Sequence, residues 1–397
     1  MENRNTSALH KILDQIELPD SAYIKAEQRY QDIAEWLQRK DSSCTEFMPH
    51  VFAQGSFRLG TAKKPTQGDE YDLDIASKLE EGLTKANITQ KQLKELVGQE
   101  LELYASARGI KKAISEKRRC WRLEYADGMS FHMDIVPCIP EEDMQRNNLK
   151  RLMVESSYGM DDGLAKDVSA LAVSITDNED PNFRVISRNW RTSNPEGFAR
   201  WFESRMRTAT NVINEREMAF DAKIDDFPYY RWKTPLQSAI LLLKYHRDMM
   251  FNTDDKSKPI SVIITTLAAR AYNGESNLES ALLNILETMH HYISERQPLI
   301  PNPVNPEEDF ADKWSCPNHR EYLLQQNFEK WLIQARADFK ALSSKNNSDL
   351  VVEAADRAFD IQLDKSLINK LLGITAPIIT PTRRIQADAP RPWLKHQ

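Results

Sequence analysis

The sequence predicts two lobes: an α/β lobe built on a mixed sheet, followed by an all-helical lobe. Three observations lead there. Helical and strand-like hydrophobic periods alternate in the first third of the chain, the pattern changes character after about residue 185, and from Thr234 onward helical periods follow one another. A length of 397 residues is enough for two to three domains at about 100–200 residues each. With 41% hydrophobic and 28% charged residues, 12 Gly and 19 Pro, the composition is that of an ordinary folded protein and excludes disorder, collagen and coiled coil as the main architecture. The expected division is 1–210 for the α/β lobe, 211–375 for the helical lobe and 376–397 for a Pro-rich tail.

Ala22 to Lys40 places Ala26, Tyr30, Ile33, Ala34 and Leu37 at helical spacing. Phe47 to Phe52 reads as a short strand running into a Gly55-Ser56 turn. Glu70 to Ala76 alternates acidic Glu70, Asp72 and Asp74 with apolar Tyr71, Leu73 and Ile75, the two-residue period of a half-buried strand. Thr89 to Arg108 is a helix, and Lys112 to Tyr125 and Met129 to Pro137 are strands joined at the hairpin signal Asp127-Gly128. Asn194-Pro195 opens a helix through Phe202, while Glu217 to Lys233 is irregular. Thr234-Pro235 then starts a helix with the cap residue and first-turn proline such starts favour. Further helices follow Pro259, span Leu278 to Glu295, and occupy about 320–343 and 349–372, with a Pro-rich loop from Pro298 to Pro317.

A net charge of −6, from 53 basic and 59 acidic residues, runs against a grip on long nucleic acid, where phosphate neutralisation dominates affinity. Any nucleotide substrate is then small. The longest apolar runs, Ser238 to Leu243 and Ile260 to Ile264, fall far short of the roughly 20 residues that cross a bilayer. Met1 to Ile12 lacks the apolar core of a secretion signal. The expectation is a cytoplasmic protein with no membrane contact. Cys44, Cys120, Cys138 and Cys316 lie far apart and read as reduced thiols. Cys316-Pro-Asn-His319 has a ligand-like spacing, but one such pair does not make a zinc site.

The chemistry concentrates between residues 54 and 75, in Gln54-Gly55-Ser56-Phe57-Arg58-Leu59-Gly60-Thr61 and then Asp69-Glu70-Tyr71-Asp72-Leu73-Asp74. Carboxylates two apart on a strand share a face. Held so close they repel unless a cation lies between them, and hard oxygen ligands suit Mg²⁺ or Mn²⁺. Phe131-His132-Met133-Asp134-Ile135 supplies a third carboxylate on the polar face of another strand. The backbone N–H groups and hydroxyl at Gly55-Ser56 suit terminal phosphates. Singly, each feature has an ordinary reading: a solvated strand face, a turn, an edge carboxylate paired with a base. Their order and spacing raise the joint signal.

That order resembles the DNA polymerase β-like nucleotidyltransferase superfamily. GSFRLGT followed by DEYDLDI is similar to the bacterial cyclic-oligonucleotide synthases, the CD-NTases of anti-phage defence, relatives of cyclic GMP–AMP synthase. The resemblance extends to Asp134-Ile-Val-Pro137, to Trp190 and Ser193-Asn-Pro195, to Thr234–Arg247 and to Asn302 through Trp314. It implies a polymerase β-like catalytic lobe with the active site in the cleft against the helical lobe. Gly55 and Ser56 would hold a triphosphate, and Asp72, Asp74 and Asp134 would be the catalytic acids binding two Mg²⁺, with Mn²⁺ able to substitute. Glu70 shares the Asp72 face, but the family motif does not use it. The helical lobe of this family contributes a Lys and a Ser to the donor phosphates, and Lys244 and Ser261 fit. An ordinary Lys244–Asp248 pair and helix capping by Ser261 are the plainer readings. Arg58 and His246 are secondary phosphate candidates, with surface roles the ordinary alternative. The implied reaction joins ATP, with GTP as an optional second substrate, into a cyclic di- or trinucleotide and releases pyrophosphate. Such a product is read by a separate effector; the tail with Trp393 reads either as a terminus with no role or as a docking peptide for a defence-operon partner. The alternatives are a linear oligoadenylate-type or tRNA/RNA-end transferase, and a non-catalytic nucleotide-binding or toxin–antitoxin module.

Overall fold

The computed structural model describes residues 7–66, 70–125, 131–156, 160–207 and 233–374. The tail 376–397 with Trp393, the Asp127-Gly128 turn, Asp69 and all but the last residue of the Glu217–Lys233 stretch lie outside the described residues.

The chain begins with α1 (Ala8–Ile16) and α2 (Asp20–Gln38), then β1 (Pro49–Ala53), the one-turn helix α3 (Gly55–Arg58), β2 (Tyr71–Leu79) and α4 (Gln90–Ala107). The strands β3 (Ser115–Glu116), β4 (Trp121–Tyr125) and β5 (Phe131–Pro140) follow. They form one sheet in the order β1-β2-β5-β4-β3. β2 and β5 run parallel, whereas β1–β2 and β4–β5 are antiparallel. A parallel neighbour needs a long crossover, and α4 lies on the connection that supplies it. Thr89 starts α4 with a reciprocal cap to Gln92, as its place at the predicted start requires. The pairing of Trp121–Tyr125 with Phe131–Ile135 makes the predicted hairpin, although β3 and β4 are separate short strands where one long strand was expected.

The sheet extends from β5 through β6 (Val173–Ile175) to β7 (Arg191–Ser193), after α5 (Asp143–Glu155) and α6 (Asp162–Ala170). Period-two alternation sorts the central strands. Leu73 and Ile75 of β2 and Met133 and Ile135 of β5 are fully buried in one core with Tyr30, Ile33 and Leu37 of α2 and Leu93, Val97 and Leu101 of α4. Each such aliphatic side chain contributes about 1.5–3 kcal/mol. That core fixes which face of the sheet is free, and the intervening Asp72, Asp74 and Asp134 take it.

The second core holds α7 (Pro195–Arg207), α8 (Pro235–Met250), α9 (Ser261–Ala271), α10 (Leu278–Thr288), α11 (Leu324–Leu342), α12 (Ser348–Phe359) and α13 (Lys365–Leu371). α1 and parts of α5 and α6 pack into it as well, through Leu9, Ile12, Leu149, Met153 and Val168. The expected division at residue 210 falls outside the described residues, and the packing crosses it: residues 8–16 and 149–206 contribute to the helical core. Three further expectations need correction. Gly55-Ser56 begins a helical turn, because Leu59 N–H closes back on the Gly55 carbonyl. The helical half is not purely helical: β8 (Pro301–Asn302) and β9 (Asn305–Asp309) form a two-stranded sheet in the Pro-rich loop. The single helix expected over 349–372 is two, since Asp360 sits at φ 53°, in the left-handed region that ends a helix. No described helix is long and apolar enough to cross a membrane.

Candidate active site

β1 delivers the chain to the site. Its last residues pair with β2, and the Gln54 N–H donates to the Asp74 carbonyl at 2.9 Å. The next residue must be glycine for two reasons. Gly55 has φ +65°, and a Cβ there would lie 2.1 Å from Asp74 Oδ2. Ser56 follows in the first turn of α3, and both residues border a cavity of about 650 Å³.

Across that cavity wall lie the acids. Asp72 and Asp74 share the free face of β2, and the parallel register sets Asp134 of β5 directly beside Asp74. One carboxylate oxygen from each of the three can be chosen so that all lie within 4.8 Å of one another. Burial, followed by repulsion from Asp72 and Asp134, pushes the Asp74 carboxyl up to about 8. A divalent cation between these carboxylates would relieve the same repulsion. The donor set, all carboxylate oxygen, fits a hard ion such as Mg²⁺.

The opposite wall is cationic. Lys244 Nζ, buried, donates to the Thr61 carbonyl at 2.9 Å. Burial, then Arg247 and Lys63, brings its pKa down to about 7. Ser261 is the first residue of α9, and its hydroxyl accepts from Arg247 Nη1 at 3.1 Å. Lys244, Arg247, Lys258 and Ser261 all border the cavity that Asp72, Asp74, Gly55 and Ser56 border. Acids, glycine-serine turn and cationic helices meet in one cleft between the two cores.

Residues 49–137, the stretch from β1 to within β5, match the family model described as cyclic GMP-AMP synthase DncV-like, nucleotidyltransferase domain. A c-di-GMP synthase of Roseivirga ehrenbergii is 28% identical over 311 residues, covering 77% of this chain and 72% of that protein. A cyclic dinucleotide synthase CdnG of Bradyrhizobium diazoefficiens is 25% identical over 334 residues, covering 78% and 70%. The solved CD-NTase CdnG of Bradyrhizobium diazoefficiens, in complex with GTP, shares the fold with a TM-score of 0.60 at 20% identity, over 92% of this chain and 97% of that one. Residues 49–137 thus carry a DncV-like nucleotidyltransferase domain, and the chain resembles bacterial cyclic dinucleotide synthases over most of its length.

Two side chains at the acidic wall escaped the sequence reading. Arg122 of β4 faces Asp134 in register and grips it with a two-point fork, Nε to Oδ1 and Nη2 to Oδ2, both 2.7 Å. His132 Nε2 lies 3.0 Å from Asp72 Oδ1, and Nδ1 lies 3.4 Å from Glu70 Oε2. The hydrogen bond to Asp72 raises the His132 pKa. His132 was readable, since the alternation that exposes Asp134 also exposes it. Arg122 was not, because its place depends on the β4–β5 register.

Other expectations change in the structure. Asp248 does not pair with Lys244: it takes Lys63 at 2.9 Å and Arg247 at 2.6 Å. His246 is neither a phosphate contact nor a surface residue. It is buried, accepting from Trp331 Nε1 at 3.1 Å on Nδ1, so that Nε2 carries the proton 3.1 Å from Asp338 Oδ2. Arg58 is also buried. It borders the cavity, and its guanidinium reaches Glu203 Oε1 at 2.6 Å. Cys44 and Cys138 are buried free thiols, and Cys120 and Cys316 are half-buried ones. Among the described residues, the triad is the cluster of three or more donors close enough for one ion, and Cys316 and His319 form no such group.

Proposed function

We propose that the protein joins nucleoside triphosphates, ATP and GTP, into a cyclic di- or trinucleotide second messenger of anti-phage defence, releasing pyrophosphate. One observation carries this reading: Asp72 and Asp74, with Asp134 beside them in strand register, share a single cavity with Gly55-Ser56 and a lysine–serine pair. The relatives named as c-di-GMP and cyclic dinucleotide synthases support it, as does the fold shared with a CD-NTase solved in complex with GTP.

Asp72, Asp74 and Asp134 would hold two Mg²⁺. Such ions, when bound, lower the pKa of the acceptor ribose hydroxyl and neutralise charge on the leaving pyrophosphate. Arg122 keeps the Asp134 carboxylate aimed at Asp74. Gly55 lets the backbone approach Asp74 closely, and the Ser56 hydroxyl and N–H groups receive the donor phosphates. Lys244 and Ser261 take the outer phosphate oxygens from the helical side, which fixes the α-phosphate over the acids and favours in-line attack. The product would signal to a separate effector protein, and residues 376–397 would dock a partner encoded beside it.

The deciding experiment is incubation with Mg²⁺ and all four radiolabelled NTPs, then phosphatase. A phosphatase-resistant product is expected. A phosphatase-sensitive ladder replaces the reading with a linear transferase, and no product replaces it with a binding module.

A further inference from the structure

A carboxylate stands on the cationic wall. Asp248 borders the cavity at the end where Lys244, Arg247, Lys258 and Ser261 converge. There it would repel any phosphate, so it needs another role. Burial opposes its charge, but Arg247 and Lys63 hold its carboxyl below the usual range, so it stands as an anion. Arg247 approaches its Oδ1 at 2.6 Å and Lys258 at 3.8 Å. Lys63 Nζ lies 2.9 Å from its Oδ2.

Lys63 differs from the other cations in origin. It comes from the catalytic side, on the segment that leaves α3, and that segment is fastened to the helical lobe at nearly every other residue. Arg58 reaches Glu203, the Leu59 carbonyl accepts from Gln237 at 3.0 Å, and the Thr61 carbonyl accepts from Lys244 at 2.9 Å. Lys63 to Asp248 is a fourth such tie. Lys63 and Lys244 thus cross the cleft in opposite directions, each held by a group of the other lobe. Arg247 is committed elsewhere too, donating to the Pro259 carbonyl at 2.7 Å and to Ser261 Oγ. The Lys63 ammonium is held by Asp248, with the Lys64 carbonyl at 3.4 Å and the Tyr245 ring centroid at 5.5 Å. An ammonium on a flexible four-carbon stem can change partners without moving the backbone.

We propose that Lys63 is a further phosphate ligand of the donor site, parked on Asp248 until a nucleoside triphosphate takes it. The proposal rests on the cavity being the triphosphate site and adds a residue from the catalytic side. Asp248 balances cations that would otherwise repel one another. A triphosphate carries more charge than one carboxylate and competes for both crossing lysines, replacing two contacts between the lobes with phosphate bridges. Asp248 sets the threshold, because the ligand must displace it.

Calorimetric titration with a non-hydrolysable GTP analogue in Mg²⁺ tests this on the full chain. Lys63→Gln should weaken binding about tenfold or more, the low end for a charge-assisted hydrogen bond, with guanosine affinity unchanged and Lys63→Arg largely restoring the loss. Asp248→Asn should bind the analogue several-fold tighter than the wild type. A folded Lys63→Gln protein with wild-type affinity overturns the proposal, and it decides alone if Asp248→Asn does not fold. Weaker binding by a folded Asp248→Asn protein also overturns it, since Asp248 would then be aiding the ligand. If Lys244→Ala weakens binding while Lys63→Gln does not, the phosphate site stands and only the Lys63 assignment fails. If the wild type does not bind the analogue, the phosphate reading and the proposal fall together.

Discussion

The two walls of the cleft solve opposite electrostatic problems in different ways. On the sheet wall, like charges are fixed by backbone: the β2–β5 register sets Asp74 beside Asp134, and no side-chain rotation separates their Cα positions. The balancing groups, Arg122 and His132, come from the same sheet. On the helical wall the charges sit at the ends of long side chains, and their partners are borrowed across the cleft: Thr61 for Lys244 and Lys63 for Asp248. A rigid array suits ions that need defined oxygen geometry, whereas movable ammonium groups suit a ligand that must enter and leave. On the proposed reading, chemistry belongs to the first wall and ligand capture to the second.

If that contrast holds, disabling the sheet wall has the largest effect. The Asp72→Asn/Asp74→Asn double variant should lose turnover entirely while its unfolding temperature stays level or rises, because the substitution removes repulsion between close carboxylates. Product formation and thermal unfolding of the metal-free protein check both halves, and an active double variant would sink the mechanism.

On the helical wall, Lys244→Ala should weaken the donor by about 1.5–3 kcal/mol, mostly in KM, provided the contact is equally strong in ground and transition states. A wild-type KM would remove Lys244 from the site. Its titration sharpens the test. Burial, Arg247 and Lys63 lower its pKa from 10.5 to about 7. A phosphate partner raises it again, so binding takes up a proton above pH 7. Donor affinity should therefore fall as pH rises from about 7.5 to 9, by up to about tenfold per unit, and Lys244→Met should lack that part of the slope. For folding the sign is the reverse of that for a lysine with a raised pKa. The folded value lies below the unfolded one, so this group adds stability as pH climbs from about 7 toward 10.5.

The smallest kinetic effect should come from the helical lobe's buried polar network. Asp338 would have its pKa raised by burial, yet hydrogen bonds from His246, Gln334 and Arg357 hold it at about 2. His246→Ala should cost about 2–3 kcal/mol of stability, through lost hydrogen bonds and an unfilled space, and leave KM near wild type. Denaturant unfolding beside steady-state kinetics separates the two. A KM shift as large as that of Lys244→Ala would show that α8 carries both residues as one unit.

The sequence by itself determined the alternation of β2 and β5, and with it which carboxylates share a face, because side-chain direction in a strand has period two. It also determined the start of α8, where Thr234 caps the helix through a reciprocal bond with Gln237 and Pro235 occupies the first turn. Gly55 was legible as a turn glycine, but its closeness to Asp74 was not. Only the tertiary structure decided the rest. The register that brings Arg122 to Asp134 depends on how two strands slide against each other, and a one-residue slip would turn every side chain to the other face. The exchange of partners between Lys63, Asp248 and Lys244 joins residues nearly 190 positions apart. A helix predicts a neighbour four residues away for Lys244. The packed cleft offered a buried carbonyl instead, and an unpartnered ammonium in that position costs more than a surface ion pair returns.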